Sequence, residues 1–477
     1  MDRIGLGGED LKKEKIANQA GIIIEEFKFK QLYEVSISKE INSHDRLVVS
    51  GLISDKQRDK HIKSTAVGQS ITVKIKETGA IIFKGMIEEI SLQTRKNDYL
   101  IHINGISATY NLDIKKKSFS FQETGISYKK WINKVVKSYS KVDFKEKASQ
   151  GASKEGLLLQ YQETDWKFLK RIASRFSTGL VPDSSGEGIR FYFGVPKGKK
   201  TVRIEDIDYN VNKKLKESQE IKENYQADVK DKDFVNYTLQ IRDIQKIQNL
   251  AVGTKVQFSN QKLYVRALSL VIQGGNLIGE YTMVKEKGLA LGEIINPNLI
   301  GLSILAKVLE VKQDQIKVHL EIDEQQDKSK AILFKYCTDY TSEGDTGFYT
   351  MPEKGDHVLL YLPDEHEENA VISTAIRKEI KGSDKVGDPK IKYFRTKYGK
   401  EIAFKEKEIV ITGKDEQVLI KINEENGIEL LSKHDIKVNS KKKIKMNAKK
   451  AIELNCKGSK IKLDGKINVQ GSEVTIN

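Results

Sequence analysis

The C-terminal end of the chain carries a strict eight-residue repeat. From Ile420 onward, two apolar residues separated by one variable residue recur every eight positions, mostly followed by asparagine, a small residue and lysine. The apolar pairs of the five octads are Ile420/Ile422, Ile428/Leu430, Ile436/Val438, Ile444/Met446 and Ile452/Leu454. The register then slips, and the next pair is Ile461/Leu463. Because side chains alternate between the faces of a strand, each pair predicts a short strand with one buried face.

One octad is too short to close a coil, so the repeat indicates a stacked architecture. Two arrangements satisfy it. Three successive octads of one chain would form one coil of a single-chain β-solenoid. Alternatively, three chains would each contribute one octad per layer and form a triple-stranded β-helix. We favour the three-chain β-helix, and the single-chain solenoid remains open.

The composition excludes several classes of protein. Two cysteines, Cys337 and Cys456, are too few for a disulfide scaffold or a cysteine zinc cluster. The N-terminus has no apolar core, so we expect no signal peptide. No HExxH or GxSxG motif occurs, and we interpret the acidic run from Asp364 to Glu368 as a solvated loop. The sequence therefore predicts no enzyme, no cofactor and no metal site.

The formal net charge is +15, and much of the excess lies in the octads. Lysines there block edge-to-edge aggregation, or they attract anionic polymers and head groups of a cell envelope. The candidates for an anionic-envelope contact are Lys441, Lys442, Lys443, Lys449 and Lys450. Nucleic acid is a disfavoured partner, because no aromatic residue follows Phe404 for base stacking.

Upstream of the repeat, the sequence predicts mixed structure. Ser127 precedes an amphipathic pattern that includes Trp131 and Val135, which predicts a helix with a serine N-cap. A second helix is expected to begin near Thr164 or Asp165. Five short strands in the stretch 300–376, with alternation at Ile316, Val318, Leu320 and Ile322, favour a small barrel of the OB type.

Four motifs in order resemble the VgrG family, the trimeric spike proteins of contractile injection systems. The run from Gln160 to Ala173 resembles the family signature, and its matching positions include Gln160, Tyr161, Glu163, Asp165 and Phe168. The stretch Gly253–Val256 resembles the start of the second barrel of the family's hub. Met351, Pro352, Gly355 and Asp356 resemble the turn of the family's OB domain. The stretch Tyr398–Phe404 resembles the start of its β-helix.

The resemblance implies a mainly β fold with an α+β part, in which hub β-barrels with helical insertions precede an OB-fold barrel and a C-terminal triple-stranded β-helix formed by three chains. It implies a homotrimer that pierces membranes and adapts a six-fold tube and baseplate to a three-fold needle. The implied partners are tail tube and baseplate proteins, a PAAR-like tip protein and, transiently, the target cell envelope. The expected segments are hub barrel 1 (1–110), an α+β hub subdomain (111–232), hub barrel 2 (233–292), an OB collar (293–378), a linker (379–396) and the needle (397–477).

The resemblance also implies synthesis in the bacterial cytoplasm, then assembly into a phage tail-like particle that is ejected or released. Two other functions remain as alternatives. A glycan-binding adhesin would use the needle as a stalk, and an aromatic patch near Tyr336, Tyr340 and Phe348 would favour it. We expect these three residues to pack inside the OB barrel instead. A peptidoglycan hydrolase is disfavoured, because no inserted lysozyme-like domain separates the OB segment from the repeat.

Overall fold

The computed structural model describes residues 21–54, 62–95, 98–198, 200–205, 207–225, 230–342, 344, 346–378, 386–414 and 417–466. Residues 1–20 of the expected hub barrel 1, 379–385 of the expected linker and 467–477 of the expected needle lie outside these residues. The chain divides into two compact units, Met1–Lys378 and Glu379–Asn477. The boundaries of the six expected segments stay predictions.

The N-terminal part of the first unit is a series of antiparallel strands. Its strands are β1 (Ile22–Ile24), β2 (Gln31–Glu40), β3 (Arg46–Ile53), β4 (Ser70–Ile75), β5 (Ile81–Arg95) and β6 (Asp98–Ser107). The apolar residues predicted to face the core are buried, as at Ile71 and Val73 of β4 and at Ile101 and Ile103 of β6.

The next part, residues 108–193, mixes short strands with two helices and is called the α+β part below. Its elements are β7 (Lys116–Phe121), β8 (Ile126–Ser127), α1 (Tyr128–Val135), β9 (Val142–Glu146), β10 (Ser153–Lys154), β11 (Leu158–Thr164), α2 (Asp165–Ser174), β12 (Leu180–Pro182) and β13 (Ile189–Phe193). Both helices begin where the sequence predicts. The Ser127 hydroxyl accepts from Lys130 N–H (3.3 Å), and the Thr164 hydroxyl accepts from Lys167 N–H (3.2 Å).

Strands then return and join the first series. They are β14 (Thr201–Ile204), β15 (Tyr209–Lys213), β16 (Val235–Ile241), β17 (Lys255–Phe258), β18 (Gln261–Gln273) and β19 (Asn276–Val284), with helices α3 (Leu215–Tyr225) and α4 (Ile244–Ile247). β18 pairs antiparallel with β2, so both series belong to one twelve-stranded sheet, ten strands of which follow the order β1-β4-β5-β6-β3-β2-β18-β19-β16-β15. The other two strands lie off this path, where β17 pairs with β18 and β14 pairs with β17. Among the described residues this path has open ends at β1 and β15 and does not close into a barrel.

The remainder of the first unit is a five-stranded domain, residues 299–376. Its strands are β20 (Ser303–Lys312), β21 (Gln315–Leu320), β22 (Leu333–Lys335), β23 (His357–Tyr361) and β24 (Val371–Ile376), in the order β22-β21-β20-β23-β24. The two edges meet where Cys337 N–H donates to the Ile372 carbonyl (2.8 Å). Ile316, Val318 and Leu320 are buried, as their alternation predicts.

The second unit contains an antiparallel meander and a separate hairpin. The meander is β25 (Lys392–Arg395), β26 (Glu401–Phe404), β27 (Glu408–Thr412), β28 (Val418–Asn423) and β29 (Gly427–Ser432), and the hairpin is β30 (Ile452–Cys456) with β31 (Ser459–Leu463). Residues 433–451 contain no strand. The third and fourth octads therefore lack the strands that the repeat predicts. A strand needs a neighbour to pair with, and one chain supplies none there.

The structure is mainly β with an α+β part, which confirms the expected fold class.

Candidate functional site

The signature residues of β11 and α2 lie at the junction between the α+β part and the five-stranded domain. β11 serves two hydrophobic cores, because successive side chains point in opposite directions. Leu158 packs with Trp131, Trp166 and their neighbours. Leu157 and Leu159 pack instead with the interior of the five-stranded domain.

A buried ion cluster, formed by Glu163, Arg171, Arg175 and Glu367, lies at this junction. The Arg171 guanidinium forms a bidentate pair with Glu163, with Nε–Oε1 and Nη2–Oε2 distances of 2.9 Å. Its Nη1 donates to Glu367 Oε1 (2.9 Å), and Nη2 also donates to the Leu159 carbonyl (2.7 Å). Arg171 and Glu367 are each 1% exposed. The cluster thus connects α2 to a short 3₁₀ helix, Glu367–Asn369, of the five-stranded domain.

Glu367 is the carboxylate that joins the two parts. Besides Arg171, it accepts from the guanidinium of Arg175 and from Leu159 N–H (3.3 Å). Burial alone would raise the pKa of Glu367, but the two arginines outweigh burial and hold this pKa below its ordinary value. The prediction that Asp364–Glu368 is a solvated loop is therefore wrong for Glu367. Its partners lie nearly 200 positions earlier, so no local pattern indicates them.

A second set of hydrogen bonds crosses the same junction. Asp323 accepts from Ser120 N–H (2.8 Å) and from the Ser120 hydroxyl (2.5 Å). Gln122 donates to the Val318 carbonyl (3.2 Å). Burial raises the pKa of Asp323, and the bonds from Ser120 only partly offset that effect. Ser120, Gln122 and Asp323 belong to none of the motifs in the sequence.

The other signature residues shape β11 and its junction with α2. Gln160 Nε2 donates to Asp165 Oδ1 (2.9 Å) and to the Glu163 carbonyl (3.0 Å). Asp165 also accepts from Tyr139 (2.7 Å) and from Lys117. These bonds span a β-bulge between Gln160 and Glu163. They hold the Glu163 carboxylate towards α2, where Arg171 reaches it.

Tyr161 and Phe168 complete the signature. The Tyr161 carbonyl accepts from Asn296 Nδ2 (2.8 Å), and its ring packs against the core of the five-stranded domain. Phe168 is buried and stacks on Phe121, with ring centroids 5.9 Å apart.

The second predicted motif forms the turn into β23. Gly355 has φ of +100°, which favours glycine. Its N–H donates to the Val308 carbonyl (3.0 Å), and Asp356 Oδ2 accepts from Glu353 N–H (2.7 Å). Met351 is half-buried against the domain core, and Pro352 is buried beside it. These residues shape the turn and are not members of the ion cluster.

The predicted needle residues remain uncovered in the single chain. The exposed members of the apolar pairs are Ile420, Ile422, Ile428, Leu430, Ile436, Val438, Ile444, Met446, Leu454 and Ile461. Ile452 and Leu463 pair across the β30–β31 hairpin and are half-buried. The five candidate lysines, Lys441, Lys442, Lys443, Lys449 and Lys450, are all exposed.

The polar side chains at the junction bind other groups of the protein and connect the α+β part to the five-stranded domain. Each of the three guanidinium nitrogens of Arg171 donates to a protein oxygen. Within the described residues, no group of three His, Cys, Asp or Glu side chains is arranged to hold a metal. No helix in that part of the chain is long and apolar enough to span a membrane.

Comparison with known proteins found one matching family model and several solved structures of similar fold. Residues 396–475 match a family model described as an uncharacterized protein conserved in bacteria, DUF2345. The E. coli c3393 protein, a type VI secretion component with structural similarity to the T4 bacteriophage tail proteins gp27 and gp5, has a TM-score of 0.53 at 11% identity, covering 75% of this chain and 99% of its own. By sequence, the chain matches no curated protein.

A chain of the lidded Francisella PdpA–VgrG complex has a TM-score of 0.56 at 9% identity, covering 84% of this chain and 76% of that chain. At such low identity the likeness concerns the fold. The resemblance to VgrG-like hub and spike proteins is confirmed at that level.

We predict that Glu367→Gln lowers the free energy of unfolding by about 3–5 kcal/mol at pH 7, because it removes one partner of a buried ion pair. The folded-state pKa of Glu367 is depressed, so its contribution is present above the unfolded pKa and disappears as pH falls through the folded pKa. The difference between wild type and variant should therefore shrink as pH falls below about 4.3. Urea denaturation followed by tryptophan fluorescence measures both quantities.

Glu368→Gln is the matched control, because Glu368 is the next residue and is exposed. It should change the free energy of unfolding by less than about 0.5 kcal/mol. Equal effects of the two substitutions at pH 7 would contradict the role assigned to the ion cluster.

Proposed function

We propose that the protein is the homotrimeric hub and membrane-piercing spike of a contractile injection machine, such as a phage tail, a phage-tail-like bacteriocin or a type VI-like system. The exposure of the repeat in a single chain carries this proposal. Ile428 is 73%, Val438 66% and Leu430 60% exposed. Burying apolar surface lowers the free energy of an assembly by about 25 cal/mol per Å². Apolar pairs this exposed therefore favour an assembly in which other copies of the chain cover them. In a β-helix of three chains, each chain adds one octad per layer, and the apolar pairs of the three octads cover one another.

The first unit fits the role of a force-bearing adaptor. In this proposal, residues 1–292 form a ring that adapts a six-fold tube and baseplate to the three-fold needle, and residues 293–378 form the collar. The ion cluster supports the role, because a buried and directional network resists displacement of the collar from the α+β part. The fold shared with the E. coli type VI component supports it further.

The proposed partners are tail tube and baseplate proteins and a PAAR-like tip protein. The protein is made in the bacterial cytoplasm, assembled into a phage tail-like particle and then ejected or released. Its work is mechanical: the sheath contracts and the needle opens the target envelope.

The proposal predicts no hydrolase activity. Pure protein should leave no clear band in a peptidoglycan zymogram, with hen egg-white lysozyme as the positive control. A lysis band that co-migrates with the chain would contradict the mechanical role.

The basic octads are proposed to contact anionic envelope polymers or head groups. Replacing Lys441, Lys442, Lys443, Lys449 and Lys450 by Gln should abolish co-sedimentation with phosphatidylglycerol vesicles at low salt, because each lysine near such a surface contributes about 1 kcal/mol. The control replaces five exposed lysines of the first unit by Gln: Lys28, Lys30, Lys76, Lys129 and Lys312. Equal loss of binding in both variants would assign the effect to net charge alone.

Light scattering of the full chain tests the trimer. The expected mass is three times 54.1 kDa. Ile428→Asn with Leu430→Asn should weaken trimer formation at least tenfold, whereas Glu429→Asn on the opposite face of the same strand should leave it unchanged. A wild-type monomer at micromolar concentration would overturn the three-chain needle and favour the single-chain solenoid.

A further inference from the structure

A cavity of about 1080 Å³ opens beside the junction and is called the lysine groove below. It lies between β7, the end of α1 and the 324–330 loop of the five-stranded domain. Phe119 and Phe121 form its apolar floor, with ring centroids 5.3 Å apart, and Phe119 is 42% exposed. A large side chain exposed in a cavity of this size is typical of a binding site.

The wall of the groove formed by β7 and α1 is basic. Lys117 donates to Asp165, and Lys134 pairs with Glu123. Lys115 and Lys137 also line the groove, are exposed and have no ion-pair partner among the described residues. The acidic residues Glu324 and Asp327 lie on the other wall. The unpaired lysines therefore favour an occupant that presents carboxylates to this side and apolar groups to the floor.

The five-stranded domain carries an exposed hairpin with that chemistry. Residues 338–342 and 346–350 form the two arms of what we call the aromatic hairpin. Tyr340, Phe348 and Tyr349 are 55%, 62% and 73% exposed. The expectation that Tyr340 and Phe348 pack inside the barrel is therefore wrong, whereas Tyr336 does pack against the domain core. Asp339 is exposed beside them, and the sequence from Tyr336 to Glu353 contains no Lys or Arg. Exposed aromatic side chains that are clustered in this way mark a contact surface.

The aromatic hairpin is held in shape by bonds between its two arms and by one bond to the β20–β21 turn. Phe348 N–H donates to the Tyr340 carbonyl (2.9 Å), and their rings meet edge to face at 6.0 Å. The Tyr349 hydroxyl donates to the Gln313 carbonyl in the β20–β21 turn (2.9 Å). A preformed projection loses little conformational freedom on docking.

We propose that the aromatic hairpin of one protomer docks in the lysine groove of the next protomer. The inference rests on the proposed homotrimer and names the surfaces that join its first units. Hairpin and groove are different surfaces of one chain, so their contact is head-to-tail and closes a ring if repeated three times. Asp339 would face Lys115 and Lys137, and the rings would cover Phe119. Because the hairpin carries acidic and no basic residues, an anionic membrane or a nucleic acid would be repelled by it.

Zero-length cross-linking of the full chain tests the proposal. Trimers co-assembled from unlabelled and ¹⁵N-labelled protein are treated with a carbodiimide, which joins a carboxylate to a lysine in direct contact. We expect links from Asp339 to Lys115 or Lys137, with half of them pairing labelled with unlabelled peptide at equal mixing. Links that form only within one chain, or none at Asp339, would overturn the proposal.

Exchanging the charges of Asp339 and Lys137 is the second test, with trimer formation as the measured quantity. Asp339→Lys and Lys137→Asp should each weaken the trimer about tenfold, and the double variant should recover most of that loss. Phe348→Ser should weaken it similarly, whereas Tyr33→Ser, at a residue of β2 that is 50% exposed, is the control. An unchanged trimer in every hairpin and groove variant would overturn the docking and leave the hub and spike intact. A monomeric wild type would overturn both.

A glycan is the competing occupant of the aromatic hairpin. Soluble peptidoglycan fragments provide the probe. Binding that Phe348→Ser abolishes while the trimer is unchanged would assign the hairpin to the adhesin function and overturn the proposed docking.

Discussion

The buried guanidinium of Arg171 is the interaction on which the junction of the first unit depends. Removing a charge from water costs several kcal/mol, so the surroundings must satisfy it completely. Here Glu163, Glu367 and the Leu159 carbonyl supply acceptors from β11 and from the five-stranded domain. The charge can be buried only when both parts are in place. That condition makes the relative position of β11, α2 and the 3₁₀ helix at Glu367 specific as well as stable.

The two units solve the problem of apolar burial in different ways. In the first, β11 directs Leu158 to one core and Leu159 to another, so the single chain covers both residues. In the second, the repeat places apolar pairs where the single chain leaves them exposed, as at Ile428 and Val438. A folded monomer is sufficient for the first arrangement. The second arrangement supports the proposed trimer, in which other copies of the chain would cover these pairs.

Local signals predicted much of the fold correctly. The N-caps at Ser127 and Thr164 and the alternation of β21 depend on neighbours within a few residues. The signature from Gln160 to Phe168 identified the junction, although its role was not evident. The buried positions of Glu367 and Asp323 were not predicted, because their partners, Arg171 and Ser120, are about 200 positions away. An acidic residue looks the same in sequence whether it faces water or a buried guanidinium.

By itself, the sequence determined the octad repeat, the two capped helices, the five strands near the middle of the chain and the absence of recognisable catalytic motifs. Periodicity and capping determine these features, since both act over a few residues. Only the tertiary structure decided that the strands on either side of the α+β part share one sheet through β2 and β18, and that Glu367 is buried. Those outcomes depend on pairing and desolvation between distant segments, which local residue patterns do not encode.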